Sequence, residues 1–214
     1  MRKYNKVELY PNSKILSSSQ LLSYAKSPAN FYTEWIAGFE RSKSSALFVG
    51  IAFGEYYADR KFDYRKYLLN CGVKVPVRLI DLVGDVIKYF GKPNKPEYEL
   101  RVPFMGWTLR ITLDDVFFKQ GIIVEHKTSG LGWSQEVADT HSQVTLQQWG
   151  YWKLKKKIPV KTLLNWVDTG YHPVKPVETF TVVKSVMQLE MFERTVVVPV
   201  LKNLDSGNFS RNIF

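Results

Sequence analysis

The sequence predicts an α/β domain in which a central mixed sheet carries helices on both faces. Two observations lead there. Apolar residues recur at helical spacing through the first ninety positions, and a meander of extended runs then fills 97–127 before helical and extended patterns alternate to the end. The chain also lacks internal repeats, low-complexity tracts and linker-like stretches, so its 214 residues read as one domain over 1–214. At 45% hydrophobic and 14% aromatic, it can bury a full core without covalent staples.

The elements follow in order. Ser18 or Ser19 can cap a helix through about Tyr24, and Pro28 opens a second that carries Phe31, Tyr32, Trp35 and Ile36. A polar loop at 41–45 precedes a helix over 46–61. In a helix over 77–89, Leu79, Leu82, Val83, Val86 and Ile87 fall near one face. The segment from Gly91 to Pro96 cannot continue it and forms a loop. Strands at 97–102, 107–118 and 122–127 make an antiparallel meander. A turn at Gly130-Leu131-Gly132 leads into a helix over 134–154, and strands at 162–167 and 179–183 extend the sheet. The segment 185–203 reads as a terminal helix interrupted or curved near Pro199.

Composition narrows the function classes. Cys71 is the only cysteine, which excludes a disulfide framework, a structural zinc site built on several cysteines and an iron-sulfur cluster. No apolar run reaches bilayer-spanning length, and Met1 through Lys6 lacks the apolar core of a signal peptide; no membrane partner is expected, and the expected location is the cytoplasm of its host. The net charge of +10 and an isoelectric point near 9.5 point to a polyanionic partner. Basic residues cluster at Arg60-Lys61, at Arg65-Lys66 and at Lys153, Lys155, Lys156 and Lys157, the last group beside Trp149, Tyr151 and Trp152. Basic groups interleaved with flat aromatics fit a nucleic-acid track.

The chemistry concentrates in two adjacent runs, one containing Leu113-Asp114-Asp115-Val116 and the next ending Val124-Glu125-His126-Lys127-Thr128. On a strand, Glu125 and Lys127 project to one face and His126 to the other. A hairpin through Lys119-Gln120-Gly121 brings an aspartate beside them, and two carboxylates with an ammonium suit a metal-assisted attack on phosphodiesters. Which aspartate depends on the turn. A two-residue turn at Gln120-Gly121 sets Asp114 opposite Lys127, whereas a three-residue turn with Gly121 left-handed sets Asp115 opposite Glu125. Turn chemistry favours the second arrangement. His141 and His172 have no partner at metal-ligand spacing, and Gly130-x-Gly132 is a turn and no phosphate loop.

These runs resemble the core of the PD-(D/E)xK nuclease superfamily in its RecB-like branch, the phage-type and CRISPR-associated exonucleases without iron-sulfur cysteines. Ile111 to Val116 matches the strand that carries the aspartate, and Glu125-His126-Lys127-Thr128 matches the signature strand. The likeness continues in order. Ser17-Ser18-Ser19-Gln20-Leu21 with Ser27-Pro28 and Phe31-Tyr32 is similar to the branch's opening helix, and Gly50 to Glu55 to the next one. Gln147-Gln148-Trp149-Gly150-Tyr151 matches its Gln-x-x-x-Tyr, and Leu204 to Phe209 its closing segment. Three positions depart from the pattern: Ile111 stands where the branch usually has Gly, Gly54 where many members carry a metal-binding histidine, and Ser27 where iron-sulfur members carry a cysteine.

The resemblance implies a restriction-endonuclease-like core and a Mg²⁺- or Mn²⁺-dependent deoxyribonuclease. It selects Asp114 as the metal-holding aspartate, with Asp115 as the alternative. Glu125 and the His126 carbonyl complete the ligand set, and Glu55 is a candidate further carboxylate. Lys127 is the cationic helper, and Gln147 and Tyr151 support the site or the DNA. An exonuclease of phage or mobile-element recombination and repair, working beside a single-strand annealing or other recombination protein, is the expected role. The alternatives are a structure-selective endonuclease on the same core and a nucleic-acid-binding module whose catalytic site has decayed.

Overall fold

The structure, a computed structural model, describes residues 14–39, 43–170 and 176–209. The expectations for Met1 to Lys6, for positions 41 and 42 of the polar loop and for His172 lie outside the described residues.

The described chain opens on a short strand, β1 (Ile15–Ser17), and turns directly into α1 (Ser18–Lys26). Ser17 is the cap, one residue earlier than expected. Its hydroxyl accepts from the Gln20 amide at 3.3 Å while Gln20 Oε1 accepts from the Ser17 amide at 2.8 Å, which satisfies two otherwise orphaned donors. Ser27 caps α2 (Pro28–Phe31), which runs on as a π-helical turn over Tyr32–Ile36. Next come α3 (Ser45–Ala58), α4 (Tyr64–Leu69) and α5 (Val77–Val86), the last followed by a 3₁₀ turn at Ile87–Tyr89. The sequence did not reveal α4 because six residues give too little periodicity; the Asp63 carboxylate that accepts from the Lys66 amide at 3.0 Å was the available signal.

Two sheets share the middle of the molecule. In the first, β2 (Tyr98–Phe104) and β3 (Trp107–Leu113) are antiparallel and β1 lies parallel to β3, in the order β1-β3-β2. The second contains β4 (Asp115–Phe117), β5 (Ile122–Ser129), β6 (Lys161–Asp168) and β7 (Val177–Val182), in that order. Only β5 and β6 are parallel there. The sheets are therefore mixed, as expected. The expected strand over 107–118 divides at Asp114, whose carbonyl accepts from the Glu97 amide at 3.1 Å, so β3 and β4 serve different sheets.

The helix expected over 134–154 breaks at His141, where the backbone is extended, into α6 (Gln135–Thr140) and α7 (Ser142–Lys155). The terminal segment consists of α8 (Val186–Phe192), a π-helical turn (Glu193–Val197) and α9 (Val198–Asp205). The backbone stays helical through Val197 and Val198 into α9, and the π turn directly before Pro199 is the local irregularity expected near that residue.

Helices cover both faces. On one face, Leu21 and Tyr24 of α1, Leu146 and Trp149 of α7 and Leu201 of α9 pack with Leu100, Leu109 and Ile111. On the other, Phe53 of α3 joins Val83 and Val86 of α5 and Val167 of β6. Packing on the α7 side is tight at Gly150, where a Cβ would stand 2.5 Å from the Ile111 Cδ1. A larger residue there would require the Ile111 side chain to shift.

Candidate active site

The site arises where β4 stops. It pairs with β5 through Phe117↔Ile122, Val116↔Ile123 and Asp115↔Val124, and no further. A four-residue loop over 118–121 joins them, closed by amides of Gln120 and Gly121 that donate to the Phe117 and Phe118 carbonyls at 3.1 and 3.3 Å. Neither expected turn, of two residues or of three, is present, although Gly121 does take the left-handed conformation at φ +67°. Beyond Val124 the edge of β5 is therefore uncovered. The His126 amide leaves this free edge and donates to Asp114 Oδ2 at 2.7 Å. Its carbonyl departs on the same side, because the N–H and C=O of one strand residue share an edge.

Glu125 and Lys127 project toward α7, where two glutamines one helical turn apart receive them. Gln143 Nε2 donates to Glu125 Oε1 at 2.7 Å, and Gln147 Nε2 donates to Glu125 Oε2 at 2.5 Å and to the Thr112 carbonyl at 3.1 Å. The Lys127 ammonium pairs with Glu125 and donates to Gln143 Oε1 at 2.7 Å. Gln147 stands where it was expected. Gln143 was missed, and its signal was the i−4 spacing from Gln147 on the same helix face.

Burial and the Glu125 charge push the Asp114 carboxyl up to about 8, against the pull of Lys127 and of the His126 amide. Burial works against the Lys127 ammonium, but Glu125 and Asp114 outweigh it and hold its pKa above the ordinary lysine value. His126 is brought down to about 4, chiefly by burial, and stays neutral. Its ring centroid lies 4.3 Å from that of Tyr57, 4.8 Å from Phe90 and 5.3 Å from Phe53, the structural role that alternation predicted for it.

A cleft of about 460 Å³ opens on this edge, lined by Asp114, Glu125, Lys127 and Glu97 together with Gly50 and Gly54 of α3. A Cβ on Gly54 would meet nothing within 4 Å, so the position where a histidine was missed faces open space. Glu55, one residue on and rotated by roughly 100° around the helix, is exposed and does not line the cleft. It is not brought to the site. Nor is Asp115: the side chain is fully buried, and its oxygens accept from the amides of Asn94, Lys95 and Val116 at 2.9, 2.6 and 2.8 Å and from the Tyr57 hydroxyl at 3.1 Å. Asp114, the aspartate that the family likeness selected, is the one in the cleft.

The expected DNA track divides. Tyr151 is only 1% exposed, packed near-parallel to Phe118 with ring centroids 6.0 Å apart, and is a core residue. Lys153 pairs with Glu193 and stands 4.4 Å over the Trp152 ring. Lys155, Lys156 and Lys157 are exposed but end α7 far from the cleft, roughly 18 Å along the axis from Gln143. Arg60 lies nearer, its guanidinium 5.6 Å from the ring centroid of Tyr57, which lines the cleft; Lys61 and Lys66 are exposed, and Arg65 is taken by Asp81 at 2.8 Å.

Among the described residues, no three Asp, Glu, His or Cys side chains form a group that could hold a metal ion. The donor set consists of two carboxylates, Asp114 and Glu125, with the His126 carbonyl on the same open edge. All are hard oxygens, and a set this small fits Mg²⁺ or Mn²⁺, which keep several waters when bound.

No protein-family profile and no curated protein matches the sequence. Solved structures do. The chain is similar to the crystal structure of a protein from Eubacterium rectale named "Putative exonuclease", with a TM-score of 0.67 and 14% identity over 97% of this chain and 87% of that one. At that identity the likeness is one of fold. A second structure, of SSO0001, is 12% identical over 80% of this chain and 84% of that one, and its TM-score of 0.35 carries no argument. Among the described residues no helix is long and apolar enough to cross a membrane.

Proposed function

We propose that this chain is a metal-dependent deoxyribonuclease of the RecB-like PD-(D/E)xK branch, acting as an exonuclease in phage or mobile-element DNA recombination and repair. One observation carries the reading: at the free edge of β5, Asp114 meets the His126 amide while Glu125 and Lys127 of the same strand reach a common cleft. The fold likeness to the E. rectale protein supports it.

Asp114, Glu125 and the His126 carbonyl would hold Mg²⁺ or Mn²⁺, which when bound supplies positive charge to the phosphate and a more acidic water. Gln143 and Gln147 fix both oxygens of Glu125 so that the carboxylate cannot swing away. Lys127, held charged by Glu125 and Asp114, orients the attacking water and stabilises the negative charge that develops on the phosphate oxygens. It stays an ammonium and is no ligand. Arg60 beside the cleft supplies a first phosphate contact for the DNA, and a recombination protein such as a single-strand annealing protein is the proposed partner.

The discriminating assay compares end-labelled linear DNA with covalently closed circles, each with Mg²⁺, Mn²⁺ or EDTA. An exonuclease removes linear DNA alone and only with metal. Cut circles identify an endonuclease, and DNA that is retarded but intact identifies a binding module.

A further inference from the structure

The Lys127 ammonium has two partners among the described residues, the Glu125 carboxylate and Gln143 Oε1, the latter at 2.7 Å. The first partner conflicts with the task proposed for Lys127. A carboxylate offers about four lone-pair sites, and Gln143, Gln147 and Lys127 already use three of those on Glu125. If Glu125 also holds a divalent cation, its charge is shared and its ion pair with Lys127 weakens. The four-carbon lysine stem is flexible, so a loosened ammonium drifts from the cleft unless another group keeps it. The helix beside it gives no help: Gln143 lies in the first turn of α7, where the partial positive charge of the helix end disfavours a cation.

We propose that Gln143 is the positioning residue for Lys127, its neutral amide oxygen holding the ammonium toward the attacking water and the phosphate when the Glu125 charge is shared with a cation. This rests on the nuclease reading above.

The chemistry of the amide supports it. Glu125 can only accept and Lys127 can only donate, so an amide between them has one workable orientation. That orientation is the one present, with Nε2 donating to Glu125 Oε1 and Oε1 accepting from Lys127, both at 2.7 Å. A glutamate at 143 would set a second carboxylate against Glu125 and hold the ammonium in a new ion pair. A neutral acceptor instead fixes the ammonium without cancelling its charge, which stays directed at the phosphate.

Placement separates the tasks of the two glutamines. Gln147 is fully buried, donates to the Thr112 carbonyl as well as to Glu125, and leaves its own Oε1 without a bond to Lys127. Gln143, one turn nearer the start of α7, lines the cleft and touches both charged groups. Gln147 therefore still restrains Glu125 when Gln143 is changed.

The test is single-turnover cleavage of end-labelled linear DNA at saturating Mn²⁺ and DNA, with Mn²⁺ affinity followed by the electron paramagnetic resonance signal of the free ion. Four whole chains are compared: unaltered, Gln143→Met, Lys127→Ala and the double variant. Methionine fills the space of the glutamine and offers neither amide group. Gln143→Met should slow cleavage by roughly tenfold to a hundredfold, the scale on which partners that orient the groups of a metal site act. Half-saturating Mn²⁺ and DNA should change by less than about twofold, since ground-state binding is retained. In Lys127→Ala the same change should add little, because the group through which Gln143 acts is gone. A residue that merely ties down Glu125 would weaken Mn²⁺ and slow both backgrounds equally. That result overturns the proposal, as does an unslowed Gln143→Met, and either leaves the nuclease reading standing. If Gln143→Met does not fold, Gln143→Asn, with both amide groups on a stem one methylene too short, replaces it in the comparison with the same expected pattern. An unaltered chain that cleaves no DNA with Mn²⁺ overturns the nuclease reading itself.

Discussion

The His126 amide donates to the Asp114 carboxylate at 2.7 Å across the gap left where β4 ends. This hydrogen bond joins the segment between the two sheets to the free edge of β5, and it fixes which of two neighbouring aspartates enters the cleft. Different consequences follow for the two.

Replacing Asp115 by Asn should cost stability. The change removes the charge that four donors share in a fully buried position, which is worth about 2–4 kcal/mol. Urea unfolding of Asp115→Asn should show the midpoint fall with the slope unchanged.

Asp114 should behave in the opposite sense in metal-free protein. Its carboxyl is raised to about 8 from an ordinary value near 4, so the folded state binds a proton that the unfolded state has released. Its contribution is therefore fully present below about pH 4 and is lost as pH rises toward 8. Melting curves in EDTA should show stability declining over that interval, and Asp114→Asn should flatten the decline and melt higher than the unaltered chain at pH 8. A parallel decline in the variant would locate the titration elsewhere.

Much of this was legible in the sequence, for identifiable reasons. Alternation alone placed Glu125 and Lys127 together and His126 apart, because a period of two admits no other result on an extended run. The division of the expected 107–118 strand was not legible, since Leu113 and Val116 are both fully buried and continue one apolar pattern into two sheets. Turn chemistry identified the left-handed Gly121 but not the four-residue loop, and so gave the wrong cross-strand partners.

Lys127→Ala should lower turnover by roughly 10²- to 10³-fold, the usual effect of removing one charged group that stabilises a developing oxyanion. Mn²⁺ binding should survive, because the ammonium is no ligand. Single-turnover cleavage at saturating metal and DNA separates the two effects. Near-normal turnover would leave Lys127 as a structural partner of Glu125.

The basic residues should divide by substrate length. For an oligonucleotide short enough to fill only the cleft, Arg60→Ala should weaken binding while Ala at Lys155, Lys156 and Lys157 should not, since those lysines end the far side of α7. For longer DNA both variants should show a shallower dependence of log affinity on log salt, by roughly 0.7–0.9 for each phosphate that is no longer neutralised. An unchanged slope in the triple variant on long DNA would make that helix end an ordinary solvated surface.

The account stands most directly on whether this cleft hydrolyses DNA with a cation held by Asp114. The decisive measurement is the rate of release of nucleotides from end-labelled linear DNA by the unaltered chain and by Asp114→Asn, each with Mg²⁺ and with EDTA. Release by the unaltered chain with Mg²⁺, and none in the other three conditions, is the predicted result. Undiminished release in EDTA, or from Asp114→Asn, would contradict it.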